Sequence, residues 1–208
     1  MIDFHTLITY VAVVLGLFLI PGPAVLMVLS RATTGGRGVG IATGLGIATG
    51  DLVHGAMATF GLSAILMTSA LAFEIVKYAG VAYLVYLGIR AFFETSGSLS
   101  IPRNGVITAS RAFRQAILTE MLNPKTALFF LAFLPQFVRP ENGSAIAQLA
   151  VLGLVFAGMS AAYTSLIALG GTAFARLIGR HGTVGRWQGK VVGVIYIGLG
   201  ARLALQQR

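Results

Sequence analysis

Long apolar runs alternate with short polar connections along this chain. Six apolar segments emerge, at about 5–29, 40–67, 70–93, 115–138, 146–174 and 188–205. Each is close to the ~20 residues a helix needs to cross a hydrocarbon layer ~30 Å thick. The longest polar connection, about 94–114, runs through Ser96-Gly97-Ser98 and Pro102-Arg103-Asn104-Gly105 and separates three segments from three. The expected fold is all-α and integral to a membrane: one transmembrane domain over 1–208. Its first half covers about 1–94, a cytoplasmic connection about 95–114, and its second half about 115–208.

Two segments are interrupted in their middles. The first meets Pro21-Gly22-Pro23 and the fourth meets Asn123-Pro124-Lys125, about half the chain apart. A proline inside a helix removes a donor and clashes with the preceding turn, at ~3 kcal/mol or more. Backbone groups freed in this way persist at membrane depth only inside protein or along a watery cavity. Interrupted segments at matching positions in two halves point to a transporter's substrate site.

Composition and charge sharpen this picture. The chain is 56% hydrophobic and 10% charged, with a mean hydropathy of +0.86; a soluble domain carries roughly 25% charged residues. It has no cysteine, which excludes disulfides, thiolate metal sites and CxxC redox chemistry. The net charge of +9 fits membrane topology better than nucleic-acid binding. Arg31 and Arg37, then Arg90, Arg103, Arg111 and Arg114, then Arg176, Arg180, Arg186 and Lys190 fall on one side, against Lys77, Arg139, Arg202 and Arg208 on the other. The positive-inside rule then places the richer side in the cytoplasm and both termini in the periplasm. Met1-Ile2-Asp3-Phe4-His5 carries no Lys or Arg, so the first segment reads as an uncleaved span rather than a secretory signal.

The halves also echo each other. Gly80-Val81-Ala82-Tyr83 followed by Gly88-Ile89-Arg90 in segment three matches Gly193-Val194-Ile195-Tyr196 followed by Gly200-Ala201-Arg202 in segment six. Three spans per copy is odd, so the expected architecture is a 3+3 inverted repeat with helices 1 and 4 broken and a site near the midplane.

Few residues inside the spans can carry chemistry. Asp51 in segment two is costly at a bilayer centre and should face a cavity or a partner. His54, three residues on, shares its helix face. Glu120, Asn123 and Lys125 lie in segment four; Lys125 should pair with Asp51 or Glu120, and the sequence does not choose between them. Asn123 suits either a backbone cap or a substrate contact. Tyr163 is a packing aromatic or a cavity wall. Gly44, Gly46, Gly50 and Gly55 allow close helix contact, within or between protomers, so a homodimer is left open. Half-helix N-termini after Pro23 and Pro124 suit a carboxylate. With Lys125 beside them and Asp51 opposite, the site suits a zwitterion such as an amino acid. The expected substrate-binding set is Pro21, Gly22, Pro23, Asp51, Asn123, Pro124 and Lys125, with Asp51, Glu120 and His54 as proton-coupling candidates. No metal spacing, phosphate loop or nucleophile–base pair is visible, so neither a cofactor nor an enzyme is expected.

Phe18-Leu19-Ile20-Pro21-Gly22-Pro23, the glycine-spaced approach to Gly50-Asp51, and Asn123-Pro124-Lys125 through Phe133-Leu134-Pro135-Gln136-Phe137 resemble the LysE/RhtB family of amino-acid exporters. The resemblance covers essentially the whole chain. It implies a multi-pass protein of the bacterial inner membrane that exports amino acids or derivatives, driven by the proton gradient. Glu120 departs from the family pattern, so its role stays open. A transporter of inorganic ions on a related fold is the alternative; it would need more carboxylates, His or Cys at the midplane.

Overall fold

The computed structural model describes residues 2–18, 22–62, 70–93 and 107–180, together with isolated positions between 190 and 204. Pro21 and most of the sixth apolar segment fall outside the described residues. The helices are α1 (Phe4–Phe18), α2 (Pro23–Thr34), α3 (Arg37–Met57), α4 (Ala70–Phe93), α5 (Ala109–Met121), α6 (Pro124–Ala132) and α7 (Ala145–Arg180). Short 3-10 turns at Leu134–Phe137 and Pro140–Asn142 link α6 to α7. No strand occurs among the described residues.

Local sequence explains where these helices begin. The Asp3 carboxylate caps α1, accepting from the Thr6 amide at 2.8 Å and the Thr6 hydroxyl at 2.7 Å. Thr108 caps α5 by accepting from the Arg111 amide. Proline stands in the first turn of both α2 and α6, where its missing N–H costs nothing. The axes of α1 and α2 differ by 62° and those of α5 and α6 by 53°. Each pair therefore turns sharply next to a proline.

By length and apolarity, Ala145–Gly171 is the one helix among the described residues that could cross a membrane alone. The count rises to three if each bent pair is one span. Several boundaries move from the sequence reading. The second segment is helical from Arg37 and passes at Ala58–Leu62 into a π-helical turn, where the Thr59 hydroxyl donates back to the Gly55 carbonyl. The polar connection is shorter than expected, because α5 begins at Ala109. Arg31, assigned to a connection, is buried in the last turn of α2 and donates to the Gln115 side chain at 2.9 Å. A cation there complements the helix C-terminus.

The glycines of α3 are spacers. A Cβ on Gly50 would stand 2.6 Å from the Glu120 Cβ, and one on Gly44 would stand 2.6 Å from the Thr164 hydroxyl oxygen. Gly46 is closed off by the Phe113 carbonyl and Ala116. These glycines let α5 and α7 close on α3 within the protomer. In lipid such contact is driven by van der Waals packing rather than by water release. Two buried clusters result. One gathers Tyr10, Val14, Leu17, Phe130, Phe133, Leu152 and Phe156, and the Tyr10 hydroxyl donates to the Leu152 carbonyl at 3.0 Å. The other gathers Val25, Val28, Leu29, Ile47, Ala116 and Ile167. Large apolar side chains also face outward, among them Phe4, Phe60, Leu122 and Leu154. Exposed apolar surface on this scale marks contact with a membrane or another apolar partner.

Candidate functional site

A cavity opens where the two clusters meet. Leu17 and Phe156 from the first and Val25 and Ile47 from the second form its apolar walls. Its polar wall comprises Asp51 on α3, Glu120 and Asn123 at the end of α5, Lys125 and Thr126 on α6, and Ser160, Tyr163 and Thr164 on α7. Gly22 and Ala24, at the start of α2, complete it. Its volume is about 50 Å³ as room for water centres, which holds about four waters.

Glu120 is the hub of the polar wall. It is 2% exposed, and its Oε1 accepts from the Thr126 hydroxyl and from Asn123 Nδ2 at 3.1 Å. His54 Nε2 donates to the Glu120 backbone carbonyl at 2.9 Å, which places the proton on Nε2. The same carbonyl also accepts from the Asn123 amide at 3.0 Å, so His54 adds a second donor at the end of α5. The Asn123 side-chain oxygen caps α6 by accepting from the Lys125 amide at 3.1 Å. Asn123 thus serves the break itself and reaches Glu120 as well.

Lys125 carries the contact between the two breaks. Its ammonium donates to the Leu17 carbonyl at 3.2 Å, in the last turn of α1. Gly22, the N-cap of α2, lies beside it: a Cβ there would be 3.7 Å from the Lys125 Nζ. Glu120 acts on Lys125 electrostatically, but its nearest donors are Thr126 and Asn123. Among the contacts of Lys125, a backbone carbonyl takes one hydrogen bond and Glu120 supplies nearby negative charge.

Asp51 is 2% exposed and lines the cavity together with Ser160 and Glu120. Asp51 Oδ2 and Glu120 Oε2 are both buried without a donor. Of the expected site residues, Gly22, Asp51, Asn123 and Lys125 line one cavity together with Glu120. Pro23 and Pro124 shape the adjoining helix starts, and His54 braces Glu120 from behind. Sequence reasoning passed over Thr126 and Ser160. Their signal was a hydroxyl two residues after the Asn123-Pro124 break and a serine deep in an apolar run. Among the described residues, no group of three or more His, Cys, Asp or Glu side chains stands close enough to hold a metal ion.

Comparison with known proteins places the chain among bacterial membrane proteins. The chain is 32% identical over 204 residues to a membrane protein of Pseudomonas aeruginosa, covering 94% of this chain and 93% of the other. It is 29% identical over 202 residues to the leucine efflux protein of Salmonella typhimurium, covering 96% and 94%. It is also 29% identical over 210 residues to the membrane protein YrhP of Bacillus subtilis, covering 97% and 99%. No solved structure matches it. The LysE type translocator family matches residues 15–207. A buried, charged cavity beside two bent helix pairs thus occurs in a transmembrane exporter, and the chain belongs to the LysE type translocator family.

Proposed function

We propose that this protein exports a zwitterionic amino acid or derivative from the bacterial cytoplasm in exchange for protons, by alternating access. The observation that carries the reading is one cavity lined by both signs of charge: the Lys125 ammonium beside the start of α2, and the Asp51 and Glu120 carboxyls. The family and the leucine efflux relatives support an amino acid as the cargo.

The substrate carboxylate goes to Lys125 and the amides that open α2. No side chain caps α2, whereas Asn123 already caps α6, so the N-terminal end of α2 is the freer seat for an anion. The ammonium goes to Asp51. In this reading α1–α2 and α5–α6 are broken first and fourth spans of a six-span, 3+3 inverted repeat in the inner membrane, with both termini periplasmic. The bends beside Pro23 and Pro124 support it. A proton arriving at Asp51 from the periplasm displaces the ammonium and couples inward proton flow to export.

The test is a screen of amino acids, leucine included, for counterflow in liposomes containing the purified protein. At least one amino acid should exchange. Failure of all of them would overturn the exporter reading. Retention of full proton-driven export by Asp51→Asn would remove Asp51 as the carrier.

A further inference from the structure

Glu120 is unassigned by the reading above, yet it is the most deeply bonded charge in the cavity. Its Cβ rests on Gly50, one residue before Asp51, so the two carboxyls approach from adjacent helices. Each keeps one buried oxygen without a donor, Oδ2 on Asp51 and Oε2 on Glu120. Two neighbouring carboxylates in a dry site repel each other strongly, and an orphaned buried acceptor adds its own desolvation cost. A single proton held between them removes both costs.

We propose that Asp51 and Glu120 form one exchange site that holds a single positive partner at a time, either one proton or one substrate ammonium. This rests on the exporter reading and gives it a stoichiometry of one proton per substrate. When the ammonium enters, the shared proton leaves to cytoplasmic water; when the ammonium leaves, a periplasmic proton takes its place. A substrate of zero net charge going out then moves one positive charge in.

Glu120 is suited to be the fixed member. Thr126 and Asn123 bond its Oε1, and His54 holds its backbone. Asp51 shares the cavity with the Ser160 hydroxyl and lacks a comparable set of bonds among the described residues, so it is the member open to the cavity. The other titratable groups facing the pair are Tyr10 on α1, Lys125 on α6 and Tyr163 on α7. The cavity wall from α2 offers only Gly22, Ala24 and Val25. Lys125 is committed to the Leu17 carbonyl and the carboxylate end of the cavity, so the acid pair is the seat left for an ammonium.

Full-length protein in weakly buffered liposomes tests this with L-leucine, or with whichever amino acid the counterflow screen returns. Proton and amino-acid fluxes measured together in the wild type should stand at one to one, and the exchange current should carry one charge per leucine. In Glu120→Gln, accumulation driven by a pH gradient should fall by about tenfold or more, the scale of an ordinary coupling free energy, and by more than counterflow falls. Glu120→Asp should recover part of the accumulation. A wild-type ratio of zero or two, or full gradient-driven accumulation by Glu120→Gln, overturns the shared site while leaving the exporter reading intact. If Glu120→Gln loses counterflow as well, the wild-type ratio decides. If no amino acid shows counterflow with the wild type, the exporter reading falls and the shared site with it.

Discussion

Lys125 reaches across 108 residues of sequence to bond the Leu17 carbonyl, and its loss has a defined cost. A hydrogen bond to a charged group is worth about 1.5–3 kcal/mol, so if Lys125 seats the substrate carboxylate, Lys125→Met should lower counterflow of the amino acid that the screen returns by about 10- to 100-fold. Lys125→Arg keeps the charge but not the compact ammonium and should recover only part of the rate. A Lys125→Met protein that inserts normally and exchanges at the wild-type rate would place the substrate carboxylate elsewhere. Asp3 supplies a contrasting case. The Thr6 amide, and then the Thr6 hydroxyl, hold its carboxylate below the usual range. A depressed carboxylate contributes its stability above the unfolded value of 3.8 and loses it as pH falls through the folded one. Asp3 is therefore charged throughout the physiological range, and Asp3→Asn should leave the pH profile of transport between about pH 5 and 8 unchanged.

At the scale of elements, the close contact of α3 with α5 and α7 depends on missing side chains. Gly50→Ala must push the Glu120 Cβ away, and Gly46→Ala meets a carbonyl that cannot rotate aside. Overpacking of this kind costs about 1–3 kcal/mol, so both variants should melt measurably earlier in detergent. Gly158→Ala on α7 meets nothing within 4 Å and should melt as the wild type does, or later. Equal melting of all three would mean that α3 and α5 are looser than described.

The same contact shows what was legible in the sequence. The prolines announced both breaks, because a helix interior cannot absorb them. The role of Glu120 was hidden, because its relation to Lys125 depends on how the chain turns at Asn123-Pro124. Helical phase does not carry across a break. A five-residue separation that puts two side chains on different faces of a straight helix puts both at one cavity once α5 and α6 meet at 53°. Nor could the sequence show that Asn123 both caps α6 and bonds Glu120, since each role alone explains an asparagine at that position.

At the scale of the whole molecule, the absence of cysteine makes orientation easy to read by labelling. Single cysteines at the exposed positions Arg37 and Glu141 belong to opposite sides in the six-span reading. Arg37→Cys should react with a membrane-impermeant maleimide only after the cells are opened, and Glu141→Cys should react in intact spheroplasts. The reverse pattern would invert the topology, and reaction of both from one side would remove the six-span count. The apolar exterior, with Phe4 78% and Leu122 81% exposed, should be covered by lipid or detergent in every preparation that keeps transport.

The unbroken α7 has its own consequence. Its 36 residues make a rod about 54 Å long at 1.5 Å per residue, against a hydrocarbon layer of ~30 Å. A tilt of about 20° shortens its reach by only a few ångströms. The rod therefore outruns the lipid and carries its far end through the headgroups into water. In the alternating-access reading it is a mast fixed in depth by its apolar stretch, beside which the two bent pairs change angle without changing level.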